Sequence, residues 1–193
     1  MSIIKLNNNG VKNATAFGSG VTSLGSMVFI KKLTASSSST LSFVDGASSV
    51  VLDNTYKEYL FTFNNMHPAT DNVNFTVNFR DGGSNFDATK TTTAINPYNN
   101  ENGTGSGVIY RTAWDLAQST SDQIIAQELG AGNDESASGY FHLFDPANTT
   151  FVKHFMAVTN QSGFENRSVN SYVAGYFNTT TALTRVRFKM SSG

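Results

Sequence analysis

Hydrophobic and polar positions alternate along most of the chain from Met27 onward, most clearly between Val73 and Arg80. There Val73, Phe75, Val77 and Phe79 fall on one side and Asn74, Thr76, Asn78 and Arg80 on the other, the period of a half-buried β-strand. The same period returns at Leu41 and Phe43, at Tyr59, Phe61 and Phe63, and at Val186, Phe188 and Met190 set against Arg185, Arg187 and Lys189. This is the signature of antiparallel sheets with one wet face. Stretches near 27–33, 108–116, 123–129, 139–145, 151–158 and 172–178 read as further strands. Turn clusters divide them, among them Asp45-Gly46, Asp81-Gly82, Asn102-Gly103 and Asp145-Pro146. Residues 112–122 can hold one short helical turn. The stretch 86–107 reads as a strand followed by a long exposed loop, a candidate contact surface.

About ten short strands, no convincing amphipathic helix, and 15 Phe with 7 Tyr to fill an interior predict an all-β fold. The expected architecture is a two-sheet antiparallel β-sandwich of jelly-roll type over residues 26–193. Residues 1–25 mix Asn, Gly, Ser and Thr with isolated apolar side chains and no sustained period, so they read as an extended N-terminal arm. Ile3, Ile4, Leu6 and Phe17 are its anchoring points, more than a purely solvated tail would carry.

Composition narrows the function. Ser, Thr and Asn make up about a third of the 193 residues, whereas charged residues are only 14%. Thirteen basic against fourteen acidic residues give a net charge of −1, and no basic run exceeds Lys31-Lys32, so the chain lacks the electrostatic footprint of a nucleic-acid binder. Cysteine is absent, which excludes disulfides, thiolate metal sites and Cys nucleophiles together. No apolar run reaches signal-peptide or membrane-spanning length, and the expectation is a protein made in a cytoplasm with no membrane span.

No catalytic, cofactor-binding or metal-binding set emerges from the residues. A Gly-x-Ser-x-Gly elbow is missing, and Gly103 to Gly107 has the glycines of a phosphate loop without its Lys or helix. If 139–145 and 151–158 close as a hairpin with Asp145 facing Phe151, His142 stands opposite His154, a cross-strand pair without a third ligand. His67, before Pro68, reads as held by loop hydrogen bonds. Most carboxylates fall in turns, where turn chemistry accounts for them. A sugar site on a β-sandwich uses exposed aromatics flanked by amides, and Trp114, Tyr98 and Tyr110 with Asn99 and Asn100 are the residues that could form one.

The runs LTASSSSTLSFVDGASSVVLDNTYKEYLFTFNNMHPATD (33–71), HLFDPANTTFVKHF (142–155) and SYVAGYFNTTTALTRVRFKMSSG (171–193) resemble a family of virion structural proteins of tailed bacteriophages, especially marine ones. The likeness extends over nearly the whole chain, including the KLNNNGV start. Members of that family usually continue past the FKMSSG-like run with one more short strand. The resemblance implies a non-enzymatic structural protein of the virion, made in the host cytoplasm and displayed as a capsid decoration or as a tail or fibre component. It implies other virion proteins as partners, docked through the arm, and a homo-oligomer, by analogy with virion appendages a trimer. The alternative is a carbohydrate-binding domain that attaches to host cell-surface glycan.

Overall fold

The computed structural model describes residues 27–192 apart from Phe164. The predicted anchor residues Ile3, Ile4, Leu6 and Phe17 therefore lie outside the described residues. From Lys31 on, the described residues belong to one compact unit.

Ten strands follow one another: β1 (Leu41–Val44), β2 (Glu58–Met66), β3 (Val73–Arg80), β4 (Lys90–Asn100), β5 (Ser106–Tyr110), β6 (Gln123–Leu129), β7 (Ser136–Phe144), β8 (His154–Gly163), β9 (Arg167–Phe177) and β10 (Arg185–Met190). They pair antiparallel in a four-stranded sheet of order β1-β10-β3-β6 and a six-stranded sheet of order β2-β7-β8-β9-β4-β5. Without the β7–β8 hairpin, eight strands pass back and forth between two sheets of four, which is the winding of a jelly roll. The hairpin widens one sheet to six strands and so enlarges its outer face.

Alternation sets the inward side chains as the sequence reading expects, but the other side of β3 is not wet throughout, because Thr76 and Asn78 are buried too, Asn78 beneath Lys90 and Asp122. In β3, Phe75, Val77 and Phe79 are buried between the sheets, and in β10 Val186 and Phe188 are buried while Arg185, Arg187 and Lys189 remain partly exposed. The core is aromatic: Phe79 meets Phe141, Phe155 and Phe177, and Phe188 meets Phe43, Phe61, Phe63, Phe75 and Phe141. Each such ring contributes about 1.5–3 kcal/mol through burial, and the T-shaped contacts add to this.

Three expectations need correction. Residues 27–33 form no strand. The stretch 86–107 is not a strand with a long loop, because Lys90–Asn100 is an eleven-residue strand that closes onto β5 through a short turn at Gly103 (φ 71°). Pro97 sits within it where the ladder to β9 is interrupted, with no β9 partner at Asn96 or Pro97, so its missing N–H costs no bond to that strand. Third, the β7–β8 register is displaced by two residues from the expected one. Phe144 faces His154 and His142 faces Met156. The nine residues between the strands form a built corner, in which Asn148 Oδ1 accepts the N–H groups of Thr150 and Phe151 and Asn148 Nδ2 donates to Asp145. The short helical turn allowed in 112–122 is present as one 3-10 turn at Thr112–Trp114.

Candidate functional site: the outer face of the six-stranded sheet

The side chains that point away from the core on the six-stranded sheet line up in three cross-strand rows. The first runs Glu58, Phe144, His154, Tyr176, Thr91, and the second Leu60, His142, Met156, Ala174, Thr93. The third takes one residue from every strand: Thr62, Tyr140, Val158, Tyr172, Ile95 and Tyr110. Leu60, Tyr140, Met156, Tyr172, Tyr176, Ile95 and Tyr110 are all exposed, Met156 by 53% and Tyr110 by 56%. Because the small Ala174 and Thr93 lie between larger neighbours, the face is grooved, with a shallow hollow of about 420 Å³ whose lining includes Phe144, His154, Met156 and Tyr176.

Some of the polar groups of this face are engaged, whereas the Tyr140, Tyr172 and Tyr176 hydroxyls make no hydrogen bond among the described residues. His142 Nδ1 and a Glu58 carboxylate oxygen are in hydrogen-bond contact across β2 and β7. Thr91 Oγ1 donates to Asn178 at 2.9 Å, and the Tyr110 hydroxyl donates to Asp115 while standing 3.3 Å from Thr93 Oγ1. Glu58 is the one carboxylate in the three rows. The result is a face with one carboxylate and a large share of exposed apolar surface, to which the rings of Tyr140, Tyr172 and Tyr176 contribute.

The predicted sugar-contact residues do not form one patch. Trp114 is 6% exposed, and its carbonyl accepts from Gln123 and Thr92 while the Arg111 guanidinium covers its ring at 5.6 Å. It cannot offer a ring face to a ligand, because the 3-10 turn folds it against β4. Tyr98 and Tyr110 belong to opposite faces of the sheet: Tyr110 pairs with the outward Ile95, whereas Tyr98 is three positions along β4 and so alternates to the other side. The ring of Tyr98 is capped by Arg167 at 5.5 Å and lies close over Gly107. Asn99 is exposed, and Asn100 is tied into the β4–β5 turn by its N–H to the Gly105 carbonyl.

Other side chains take structural places. His67 Nε2 bonds the Gly132 carbonyl at 2.9 Å, and Asp45, Asp53 and Asp71 accept turn N–H groups from Leu52, Thr55 and Ala131. No group of three or more His, Asp or Glu converges on a common point among the described residues. No helix among them is long and apolar enough to cross a membrane. The outer-face residues Leu60, Tyr140, Met156, Tyr172 and Tyr176 escaped the sequence reading. The available signal was that β8 and β9 carry large apolar groups on both sides of the alternation, as in His154, Phe155, Met156, Ala157 and in Tyr172, Val173.

Comparison with protein-family models, with curated proteins and with solved structures finds no match.

Proposed function

We propose that the chain is a non-enzymatic structural protein of a tailed-bacteriophage particle, displayed as a decoration or as a tail or fibre component, and that it self-associates through the outer face of its six-stranded sheet. The observation that carries the self-association is the set of three aligned rows in which Leu60, Ile95, Tyr110, Tyr140, Met156, Tyr172 and Tyr176 are exposed together. The virion setting is supported by the resemblance of the runs at 33–71, 142–155 and 171–193.

The occupant of the face is a second copy of this chain, for two reasons. The three rows hold sixteen outward positions, each occupying about 4.8 by about 6.8 Å, which gives a patch of about 520 Å². Two such patches together cover about 1,000 Å², the lower size of a specific interface. With Glu58 the one carboxylate in the three rows, two copies also meet with few like charges to oppose. Repetition by symmetry then turns a modest contact into a firm one.

The test is sedimentation of the purified chain beside a Met156→Glu, Tyr172→Glu variant, together with its copy number in purified particles by quantitative mass spectrometry. An oligomer that the variant dissociates while keeping its β spectrum, and a copy number that is a simple fraction of the shell protein, are the expected results. A monomer at about 100 μM overturns the self-association, and absence from particles overturns the virion assignment.

A further inference from the structure

The two sheets meet at a buried cluster that the outer face does not use. Lys90 opens β4 in the six-stranded sheet and is 0% exposed, and Asn78 lies in β3 of the four-stranded sheet at 3% exposure. Lys90 Nζ stands 2.9 Å from Asn78 Oδ1 and 3.3 Å from the Ala88 carbonyl. With a C=O bond of about 1.23 Å, the amine nitrogen is no more than about 4.1 Å from Asn78 Cγ. The amide is locked in orientation. Its oxygen also accepts the Phe79 N–H at 2.8 Å, and its nitrogen donates to Asp122 Oδ1 at 2.8 Å and to the Thr120 carbonyl at 3.0 Å. Asp122 is in turn held by Arg187 at 2.8 Å and Lys189 at 2.7 Å.

A buried lysine, an amide carbonyl polarised by two donors, and a carboxylate on the leaving nitrogen make a set for acyl transfer. We infer that Lys90 and Asn78 form an intramolecular isopeptide bond that staples the two sheets. Lys90 Nζ, as the neutral amine, attacks Asn78 Cγ. The Phe79 N–H stabilises the negative charge that builds on Oδ1, as an oxyanion-hole donor does. Asp122 takes the proton that the attacking nitrogen sheds and passes it to Nδ2, to which it is already hydrogen-bonded. The Cγ–Nδ2 bond breaks and ammonia leaves. One amine and one primary amide become one secondary amide and one ammonia, so nothing further is consumed.

The surroundings favour the neutral nucleophile. Burial lowers the Lys90 pKa to about 8, against which the charge of Asp122 raises it and that of Arg187 lowers it further, leaving roughly a tenth of the amine unprotonated at pH 7. Lys153 supplies an internal contrast. It too is buried, at 1% exposure, but Nζ is held by the main-chain carbonyls of Asn148 and Thr179, with no side-chain amide in reach of the described bonds.

The experiment is the intact mass of the purified full-length chain after incubation at about pH 8, followed by tryptic mapping. The expected result is a loss of one ammonia, about 17 Da, with residues 58–80 joined to 81–111 because trypsin does not cut after an acylated Lys90. Lys90→Met and Asn78→Ala remove the loss, Lys153→Met keeps it, and Asp122→Asn slows bond formation about a hundredfold. An unshifted mass overturns the bond. So does a loss that maps to Asn102-Gly103, where cyclisation of an asparagine also releases ammonia. Formation at the same rate in Asp122→Asn overturns the proton relay. The wild-type mass and map decide the bond even where a variant fails to fold.

Discussion

The ring of Phe188 in β10 meets that of Phe63 in β2 edge-on, with centroids 5.0 Å apart and planes at 69°, so that one residue from each sheet shares a single aromatic contact. Phe188 is 4% exposed and also touches Phe43, Phe61, Phe75 and Phe141. Phe188→Ala removes the hub of that cluster, and a loss of about 3–5 kcal/mol is expected from urea midpoints at unchanged slope. Phe151→Ala, at a side chain 70% exposed, shifts the same midpoint by no more than about 0.5 kcal/mol.

Gly175 lies where β9 passes between β8 and β4. A Cβ there would stand 2.6 Å from Thr92 Cγ2, 2.8 Å from the Thr91 carbonyl and 2.9 Å from the Phe155 ring. Two of those neighbours are side chains of a packed sheet and one is backbone, so none yields freely. Gly175→Ala is expected to lower the thermal midpoint by the equivalent of about 1–3 kcal/mol.

The Asp122 carboxyl carries a pH signature. Burial would push its pKa up, yet hydrogen bonds from Lys189, Asn78 and Arg187 outweigh that and hold it below the ordinary 3.8. A folded pKa below the unfolded one means that the unfolded state binds this proton more readily, so stability rises with pH across the interval. The contribution is complete above the unfolded pKa and is lost as the pH falls through the folded one. Urea midpoints from about pH 6 to about pH 2 should fall less steeply in Asp122→Asn than in the wild type. Equal slopes would mean that the carboxylate is not held by these donors.

Trp114 reports its own burial. The indole is enclosed by the 3-10 turn, β4 and Arg111, so its emission is expected to be blue-shifted, weakly quenched by iodide and unchanged by added sugars. A red-shifted, sugar-sensitive emission would restore Trp114 as a contact residue.

Much of the fold was legible because alternation is a local property. The run from Val73 to Arg80 tells which side chains go inward without reference to any other strand, and enough Phe and Tyr were present to fill a two-sheet interior. The surface at 86–107 was misread because its Asn, Thr and Gly composition favours loops, whereas pairing with β5 and β9 on both sides makes Lys90–Asn100 a strand. Propensity yielded there to tertiary hydrogen bonding.

The candidate sites lay beyond the reach of local reading. Whether His142 faces His154 or Met156 depends on how the chain turns at Asp145 to Lys153, and the corner built on Asn148 displaces the register by two residues. The three outer rows exist only once six strands are set side by side, since each strand contributes two or three residues and none carries the face alone. Lys90 and Asn78 are 12 residues apart and belong to different sheets, and Asp122 arrives from the approach to β6. The order of residues along the chain determined that this protein is a β-sandwich with an aromatic interior and a weakly charged surface, because period and composition act within a strand. Only the packing of one sheet on the other decided that a buried amine, a polarised amide and a carboxylate share one point, because contacts between strands are made in three dimensions and leave no period to read.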